Sequence, residues 1–160
     1  MMNYAEKEQT KEVIAIGSDH GGWELKEHLK GILTREGFAV EDFGCHTPER
    51  CDYPAIGISL ARSVSEGRIG RGILICGTGI GMSIAANRFH GVRAALCHDL
   101  YTARMSREHN NANILILGGR ILGKDLAEET LRVWLHTEFS CEGRHAARLK
   151  QIDDLGGKTA

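Results

Sequence analysis

Short apolar runs alternate with longer segments of helical periodicity along nearly the whole chain. Each apolar run is bounded by polar or turn-forming residues, which is typical of a strand buried on both faces. Repeated strand–helix alternation favours a parallel sheet with helices on both sides. The predicted strands are EVIAIG (Glu12–Gly17), FAVEDFG (Phe38–Gly44), RGILICG (Arg71–Gly77), GVRAALC (Gly91–Cys97) and ANILILG (Ala112–Gly118).

The segments between these runs have the spacing of amphipathic helices. In the first of them, Leu25, Leu29, Ile32 and Leu33 fall on one face. The predicted helices are 23–37, 53–66, about 81–88, 100–108, 124–136 and 143 to about 152. The fold class is therefore α/β: a three-layer α/β/α, Rossmann-like domain with a five-stranded parallel sheet. In such sheets ligands bind beyond the carboxyl ends of the strands.

Composition limits the organisation and the partners of the chain. With 160 residues, 42% of them hydrophobic, it suits a single domain, predicted over 12–160 after a polar lead-in at 1–11. The formal net charge of −1 gives no support for a nucleic-acid or membrane partner. No apolar run is long enough to span a bilayer, and the lead-in lacks the apolar core of a signal peptide. We expect a cytoplasmic protein.

Five cysteines are scattered along the chain. Their odd number and uneven spacing argue against a disulfide framework, so reduced thiols are expected. Cys45, His46 and Cys51 lie close together, but no pair of C-x-x-C or H-x-x-x-H elements completes a zinc site. The sequence therefore predicts no metal.

Two of the predicted strands are followed by glycine-rich stretches that also contain potentially reactive side chains. GSDHGG follows the first strand and offers Asp19 as an acid or base and His20 as a donor to an anion. Ser, Asp and Gly also favour caps and turns, but an adjacent Asp–His pair exceeds what a cap requires.

CGTGIG follows the third strand. Gly77, Gly79 and Gly81 let backbone N–H groups approach an oxyanion at the start of a helix. Cys76 lies beside the same positive helix end, which favours its thiolate, and Thr78 adds a hydroxyl. A buried, inert thiol is the alternative for Cys76 alone.

The remaining candidates have ordinary structural explanations as well. Asp99, after His98, can cap a helix, and His109, before Asn110, can make a dipole contact at a helix end. Arg120 follows the fifth strand, where a lone arginine is commonly solvated. Arg144 and Arg148 are four residues apart, a spacing that suits a phosphate but also an exposed basic face.

The glycine loop is not a P-loop, because no Gly-Lys-Ser/Thr follows it. It reads G-x-G-x-G rather than G-x-G-x-x-G, a weak match to dinucleotide-binding loops. Asp99 lies about 20 residues beyond it, the distance at which an acidic residue contacts a ribose. Nucleotide binding therefore remains an alternative at this point.

Taken together, the motifs resemble those of the type B ribose-5-phosphate isomerases, the family that also contains the galactose-6-phosphate isomerase subunits. The similar stretches are GSDHGG, DYP, ILICGTGIGMSIAANR, SREHNNAN, LGGR and EGRHAAR, in family order from about Glu12 to Ile152. The resemblance implies aldose–ketose isomerisation of a phosphorylated sugar without metal or organic cofactor. It also implies a homodimer, or a tetramer made of dimers, with an active site shared between subunits.

The resemblance also implies roles for individual residues. Cys76 matches the base that moves a proton between C1 and C2; some members have serine there and a glutamate a few residues later, which this chain lacks. Asp19 and His109 match residues that open the furanose ring. The other matches are Thr78 with the backbone of Gly77, Gly79 and Gly81 for the enediolate, Asn110 for a hydroxyl, and His20, Arg120, Arg144 and Arg148 for the phosphate.

The leading hypothesis is the interconversion of ribose 5-phosphate and ribulose 5-phosphate. The same chemistry on allose 6-phosphate, galactose 6-phosphate or a tetrulose phosphate is an alternative, and a non-catalytic nucleotide-binding module is another. The number of carbons in the preferred sugar phosphate is expected to depend on the loop from Cys45 to Tyr53 and on the surroundings of His98 and Asp99.

Overall fold

A computed structural model describes residues 11–156, so residues 1–10 of the predicted lead-in lie outside the described part. The strands are β1 (Val13–Ser18), β2 (Ala39–Asp42), β3 (Arg71–Cys76), β4 (Ala94–Leu96) and β5 (Ile114–Gly118). The helices are α1 (Trp23–Arg35), α2 (Tyr53–Ser65), α3 (Ile80–Ala86), α4 (Leu100–Glu108), α5 (Lys124–His136) and α6 (Gly143–Gly156).

The five strands form one parallel sheet in the order β2-β1-β3-β5-β4. Ile16 pairs with Ile73, and Ile73 with Leu115, so β1, β3 and β5 are central and in register. The predicted α/β fold class is confirmed. In chain order, β2 pairs with one side of β1, and β3 then pairs with its other side. That change of direction opens a crevice at the carboxyl edge between β1 and β3.

Alternate residues of the central strands face two separate cores. Ile14 and Ile16 point towards α1 and α5, where Leu29 and Trp134 are fully buried. The intervening side chains point towards α2 and α3. This second core includes Leu74, Cys76, Leu60, Met82 and Ile116. Cys76 is therefore the last residue of a buried strand, and its side chain is on the α2–α3 side.

Most predicted boundaries differ from the structure by one to four residues, and two elements show the physical reason. β4 covers 94–96 rather than 91–97, because Val92 closes a turn onto Phe89 and the Arg93 N–H bonds to the Asn113 side chain. α3 covers 80–86 rather than about 81–88 and begins directly at Gly79, its N-terminal cap. The glycine loop is consequently one residue shorter than predicted.

A buried lysine joins α1 to the end of β2. Lys26 has no exposed side-chain surface, and its Nζ lies 2.9 and 2.8 Å from the two carboxylate oxygens of Asp42. The same Nζ donates to the carbonyl of Cys45 at 2.6 Å. Lys30 approaches Asp42 from the solvent side at 2.6 Å. A buried charge is tolerated only when it is paired and hydrogen-bonded, as here.

The two lysines also set the titration of Asp42. Burial acts to raise the pKa of Asp42, but hydrogen bonds from Lys26 and Lys30 outweigh burial and hold the pKa below its ordinary value. The stability that this carboxylate contributes is therefore present above the ordinary carboxyl pKa. It is lost as the pH falls through the lowered value.

The expectation of reduced thiols is wrong for one pair. Cys45 and Cys51 are joined by a disulfide, with their Cα atoms 6.7 Å apart. Spacing alone could not show this, because the intervening loop folds back and brings two residues six positions apart into contact. The described free cysteines are the buried Cys76 and Cys97 and the exposed Cys141.

Replacing Lys26 with methionine is expected to lower the free energy of unfolding by about 2–3 kcal/mol. This loss is at or below the low end of what removing one partner of a buried ion pair usually costs. It is small because Lys30 still faces Asp42 after the substitution. Lys30→Met is the matched control, and its partly exposed ion pairs are worth less than about 1 kcal/mol. Urea unfolding of both variants measures the difference. Equal losses would contradict the structural role given to Lys26.

Candidate active site

Three glycine-rich loops meet at the carboxyl edge of β1, β3 and β5. A Cβ atom on Gly21 would lie 3.2 Å from the backbone of Gly77. One on Gly119 would lie 2.6 Å from the carbonyl oxygen of Gly21. Hydrogen bonds from Gly119 N–H to the Cys76 carbonyl and from Arg120 N–H to the Gly77 carbonyl hold two of the loops together. The loops therefore form one packed surface.

Cys76 lies at the centre of this surface. It is 5% exposed, and the backbone N–H of Gly79 points at its Sγ from 3.1 Å. The Gly79 N–H is therefore a hydrogen-bond donor held in place at the sulfur atom. The Arg120 side chain lies over Gly77: its Cδ would be 3.5 Å from a Cβ built on that glycine.

Asp19 and His20 follow β1 and differ in exposure. Asp19 is 8% exposed, and its Oδ1 accepts the N–H of Gly22 at 3.1 Å. It thus caps the turn into α1 and also borders the Gly21–Gly77 contact. His20 is exposed, and its Nδ1 lies 3.0 Å from the carbonyl of Cys51. The imidazole therefore connects the first loop to the disulfide-closed segment between Cys45 and Cys51.

The glycine loop requires glycine at two positions for different reasons. Gly79 has a φ of +81°, and a Cβ there would meet the Leu96 side chain at 2.4 Å. A Cβ on Gly81 would meet the Tyr53 ring at 2.5 Å, so Tyr53 lies directly over the loop. The Thr78 hydroxyl accepts the N–H of Ile80 at 3.3 Å while its side chain remains exposed.

The strand-four end has a structural explanation. Asp99 caps α4 by accepting the N–H of Thr102 at 2.7 Å. That bond lowers the pKa of Asp99. Cys97 is buried, and burial raises the pKa of its thiol. These features fit a helix cap and an inert packing thiol.

The structure does not bring His109 and Asn110 to the same edge. α4 runs back along the sheet, so both residues follow its end and precede β5 at the amino edge. β5 alone separates the two edges by about 13 Å, at roughly 3.3 Å per residue over the four steps from Ile114 to Gly118. A single copy of the chain therefore holds the predicted site residues in two groups.

Residues beside His109 and Asn110 in the SREHNNAN stretch hold the turn between α4 and β5 in place. Arg107 donates to the Asn111 side chain at 3.1 Å and to the Ala112 carbonyl at 2.6 Å. Asn113 bonds through its side chain to Arg93 N–H and the Gly91 carbonyl. These residues are structural and leave the half-exposed His109 and the exposed Asn110 at the surface.

α6 places its two arginines beside His109. Ser140 N–H bonds to the Glu108 carbonyl, so the segment leading into α6 begins at the amino edge. The rings of His109 and His145 stack with centroids 4.3 Å apart. Arg144 and Arg148 are exposed on the same helix. The second group of predicted residues is thus His109, Asn110, Arg144 and Arg148.

Three features near the site were not predicted. Lys26 holds the Cys45 carbonyl, the disulfide closes the adjoining loop, and His145 stacks on His109. For Lys26 the sequence did contain a signal, because a lysine follows Leu25 on the core-facing side of a predicted helix. The other two depend on contacts between separate segments.

The sequence and the architecture are similar to those of known proteins. The family model for Ribose/Galactose Isomerase matches residues 14–152. The chain belongs to the ribose/galactose isomerase family. Ribose-5-phosphate isomerase B of Escherichia coli strain K12 is 43% identical to it, over 87% of this chain and 93% of that protein.

Two further comparisons agree. A ribose-5-phosphate isomerase B structure from Clostridium thermocellum superposes with a TM-score of 0.89 at 51% identity, covering 92% of this chain and 99% of that one. A D-erythrulose-4-phosphate isomerase of Pectobacterium atrosepticum is 44% identical, over 87% of this chain and 91% of that protein. The chain is therefore an enzyme, a sugar phosphate isomerase similar to ribose-5-phosphate isomerase B.

Two negative findings apply to the part of the chain that the structure describes. Within residues 11–156, no three His, Cys, Asp or Glu side chains are grouped so as to hold a metal ion. None of the helices found there is long and apolar enough to cross a membrane.

Gly79→Ala is expected to reduce both stability and turnover, because the new methyl group meets Leu96 in a left-handed backbone conformation. Gly67→Ala is the matched control: its φ is +73°, and a Cβ there has open space. The control should lose only the stability that alanine costs in a left-handed backbone conformation, about 1–2 kcal/mol. Thermal unfolding and isomerase rates separate the two effects. If both variants behaved alike, the packing of Gly79 against Leu96 would not matter.

Proposed function

We propose that the protein interconverts D-ribose 5-phosphate and D-ribulose 5-phosphate through an enediolate, with Cys76 as the base. The observation that carries the proposal is a buried thiol at the end of β3 that accepts the Gly79 N–H at 3.1 Å. Removal of a proton next to a carbonyl requires a positioned base and a stabilised oxyanion. Here both requirements fall on one short loop.

In the proposed reaction, the Cys76 thiolate takes the proton from C2 of the open-chain aldose. The electron pair moves into a C1–C2 double bond, and the carbonyl oxygen becomes the enediolate oxygen. Thr78 and the loop backbone, from Gly77 through Gly79 to Gly81, stabilise that charge. The proton of the C2 hydroxyl is then transferred to O1, the thiol returns its own proton to C1, and O2 becomes the carbonyl oxygen. The ketose forms with no net change in redox state.

Ring opening precedes this step and is assigned to Asp19 and His109. One group removes the proton from the C1 hydroxyl, while the other protonates the ring oxygen as the C1–O bond breaks. Asn110 is assigned to a sugar hydroxyl. His20, Arg120, Arg144 and Arg148 are assigned to the phosphate. The phosphate does not react, and its binding energy is used to orient the reacting carbons.

We further propose that two copies of the chain share each active site. Cys76, Asp19 and Arg120 are at the carboxyl edge, whereas His109 and the α6 arginines are at the amino edge. A side chain cannot span this separation, so a second copy must supply the second group. α3 begins at the glycine loop and exposes Ile80 and Ile84, each by more than half. A partner that packs on α3 would cover them and approach Cys76.

The choice of sugar is tested by comparing turnover on four-, five- and six-carbon sugar phosphates with one preparation. The highest kcat/KM is expected for ribose 5-phosphate. The relative named D-erythrulose-4-phosphate isomerase makes a tetrulose phosphate the first alternative to include. Preference for another sugar phosphate would keep the proton-transfer chemistry and reject the pentose assignment.

Cys76→Ala is expected to lower kcat by about 10²–10⁴-fold, the usual contribution of a general base. Cys97→Ala is the matched control, since it removes the other buried free thiol, which follows β4 and is separated from β3 by β5. The control should retain nearly native kcat. Both variants should bind inorganic phosphate as the native protein does. Comparable activity of Cys76→Ala and the native enzyme would remove Cys76 from the mechanism.

Mixing two inactive variants tests the shared site. Cys76→Ala and the double variant Arg144→Ala with Arg148→Ala are unfolded together and refolded. In a symmetric dimer, random pairing makes about half the dimers mixed, each with one intact site, and restores about 25% of native activity. Refolding Cys76→Ala with Cys76→Ser is the control and should restore none. No recovery in the first mixture, despite normal dimer formation, would place Cys76, Arg144 and Arg148 in a single subunit's site.

A further inference from the structure

A histidine outside the assigned site lies flat against one that is inside it. The His109 and His145 rings are 4.3 Å apart between centroids and only 9° from parallel. The His145 side chain is 7% exposed, whereas that of His109 is 36% exposed. His109 is thus supported on one ring face and remains partly exposed.

Charged groups around His145 determine which of its nitrogens carries hydrogen. The Arg144 Nε–H lies 3.3 Å from His145 Nε2 and is shared with the Glu142 carboxylate at 2.9 Å. An arginine is always a donor, so Nε2 must accept through its lone pair. The imidazole is then neutral with its hydrogen on Nδ1.

The surroundings of His145 oppose a second charge. Burial lowers the pKa of His145, and the nearby His109, Arg144 and Arg148 lower it further, while Glu142 acts the other way. Glu142 is 3.8 Å from Nε2 of His145, and Glu108 is 3.8 Å from Nε2 of His109. Glu108 therefore faces His109 rather than His145.

We propose that His145 is a positioning residue: a neutral aromatic ring that fixes the plane of His109 and leaves the proton of the pair on His109. The proposal rests on the proposed function, in which His109 moves a proton during ring opening.

Two physical arguments support this role. A cation over a neutral aromatic face is favourable, whereas two stacked cations repel each other, so the pair accepts one proton and not two. His109 also follows the last residue of α4, where a half-exposed side chain without the stack would rotate between rotamers. A misplaced acid–base group costs rate even when it remains present.

The test compares His145→Ala, which removes the ring, with His145→Phe, which keeps a flat face but cannot carry a proton. His136→Ala, at the exposed end of α5, is the histidine control. His145→Ala should lower kcat on ribose 5-phosphate by about 10–100-fold with KM changed less than about 3-fold, the pattern of lost orientation. His145→Phe and His136→Ala should stay within about 3-fold of native kcat.

An NMR titration of the histidine rings gives a readout that does not depend on activity. In the native protein, His145 should remain the neutral Nδ1–H tautomer at pH values where an ordinary histidine takes up a proton, because burial and the nearby His109, Arg144 and Arg148 lower its pKa. Native kcat in His145→Ala, equal losses in the Ala and Phe variants, or protonation of His145 together with His109 would each overturn the proposal. If the native enzyme turned over no sugar phosphate, the proposed function would fail while the titration still tested the stack.

Discussion

The side-by-side pairing of β1, β3 and β5 is the constraint on which the rest of the site depends. These strands are adjacent in the sheet although they are separated in the chain. Their carboxyl ends therefore bring Asp19, Cys76 and Arg120 to one edge. The connecting loops can pack together only because glycines replace side chains that would collide with neighbouring backbone. A buried thiol and its N–H donor follow directly from this packing.

The same alternation of strands and helices divides the remaining residues. A helix that follows a parallel strand returns to the opposite edge, so His109 at the end of α4 lies far from Cys76. The exposed arginines of α6 lie with His109 rather than with Arg120. A single copy of the chain thus holds the residues proposed for the site in two groups at opposite edges. The proposed association of two copies would bring one group from each copy together without any change in the fold.

Much of this arrangement is predictable from sequence because it depends on local periodicity. The helices at 100–108 and 124–136 were predicted to the residue, and the loops after β1 and β3 were placed at the correct edge by the strand-end rule. The order of β4 and β5 was not predicted, because periodicity contains no information about which strands pair. The Cys45–Cys51 disulfide, the Lys26–Asp42 pair and the His109–His145 stack likewise depend on segments distant in the chain or on loop geometry.

The central claim is proton transfer through an enediolate, and isomerisation of ribose 5-phosphate in D₂O tests it most directly. A base that exchanges its proton with solvent should introduce deuterium at C1 of the ribulose 5-phosphate formed and at C2 of the aldose recovered. NMR of both sugars measures this incorporation. Turnover with all the original hydrogen retained would indicate a direct hydride shift and contradict the account. Absence of any ketose would contradict it as well.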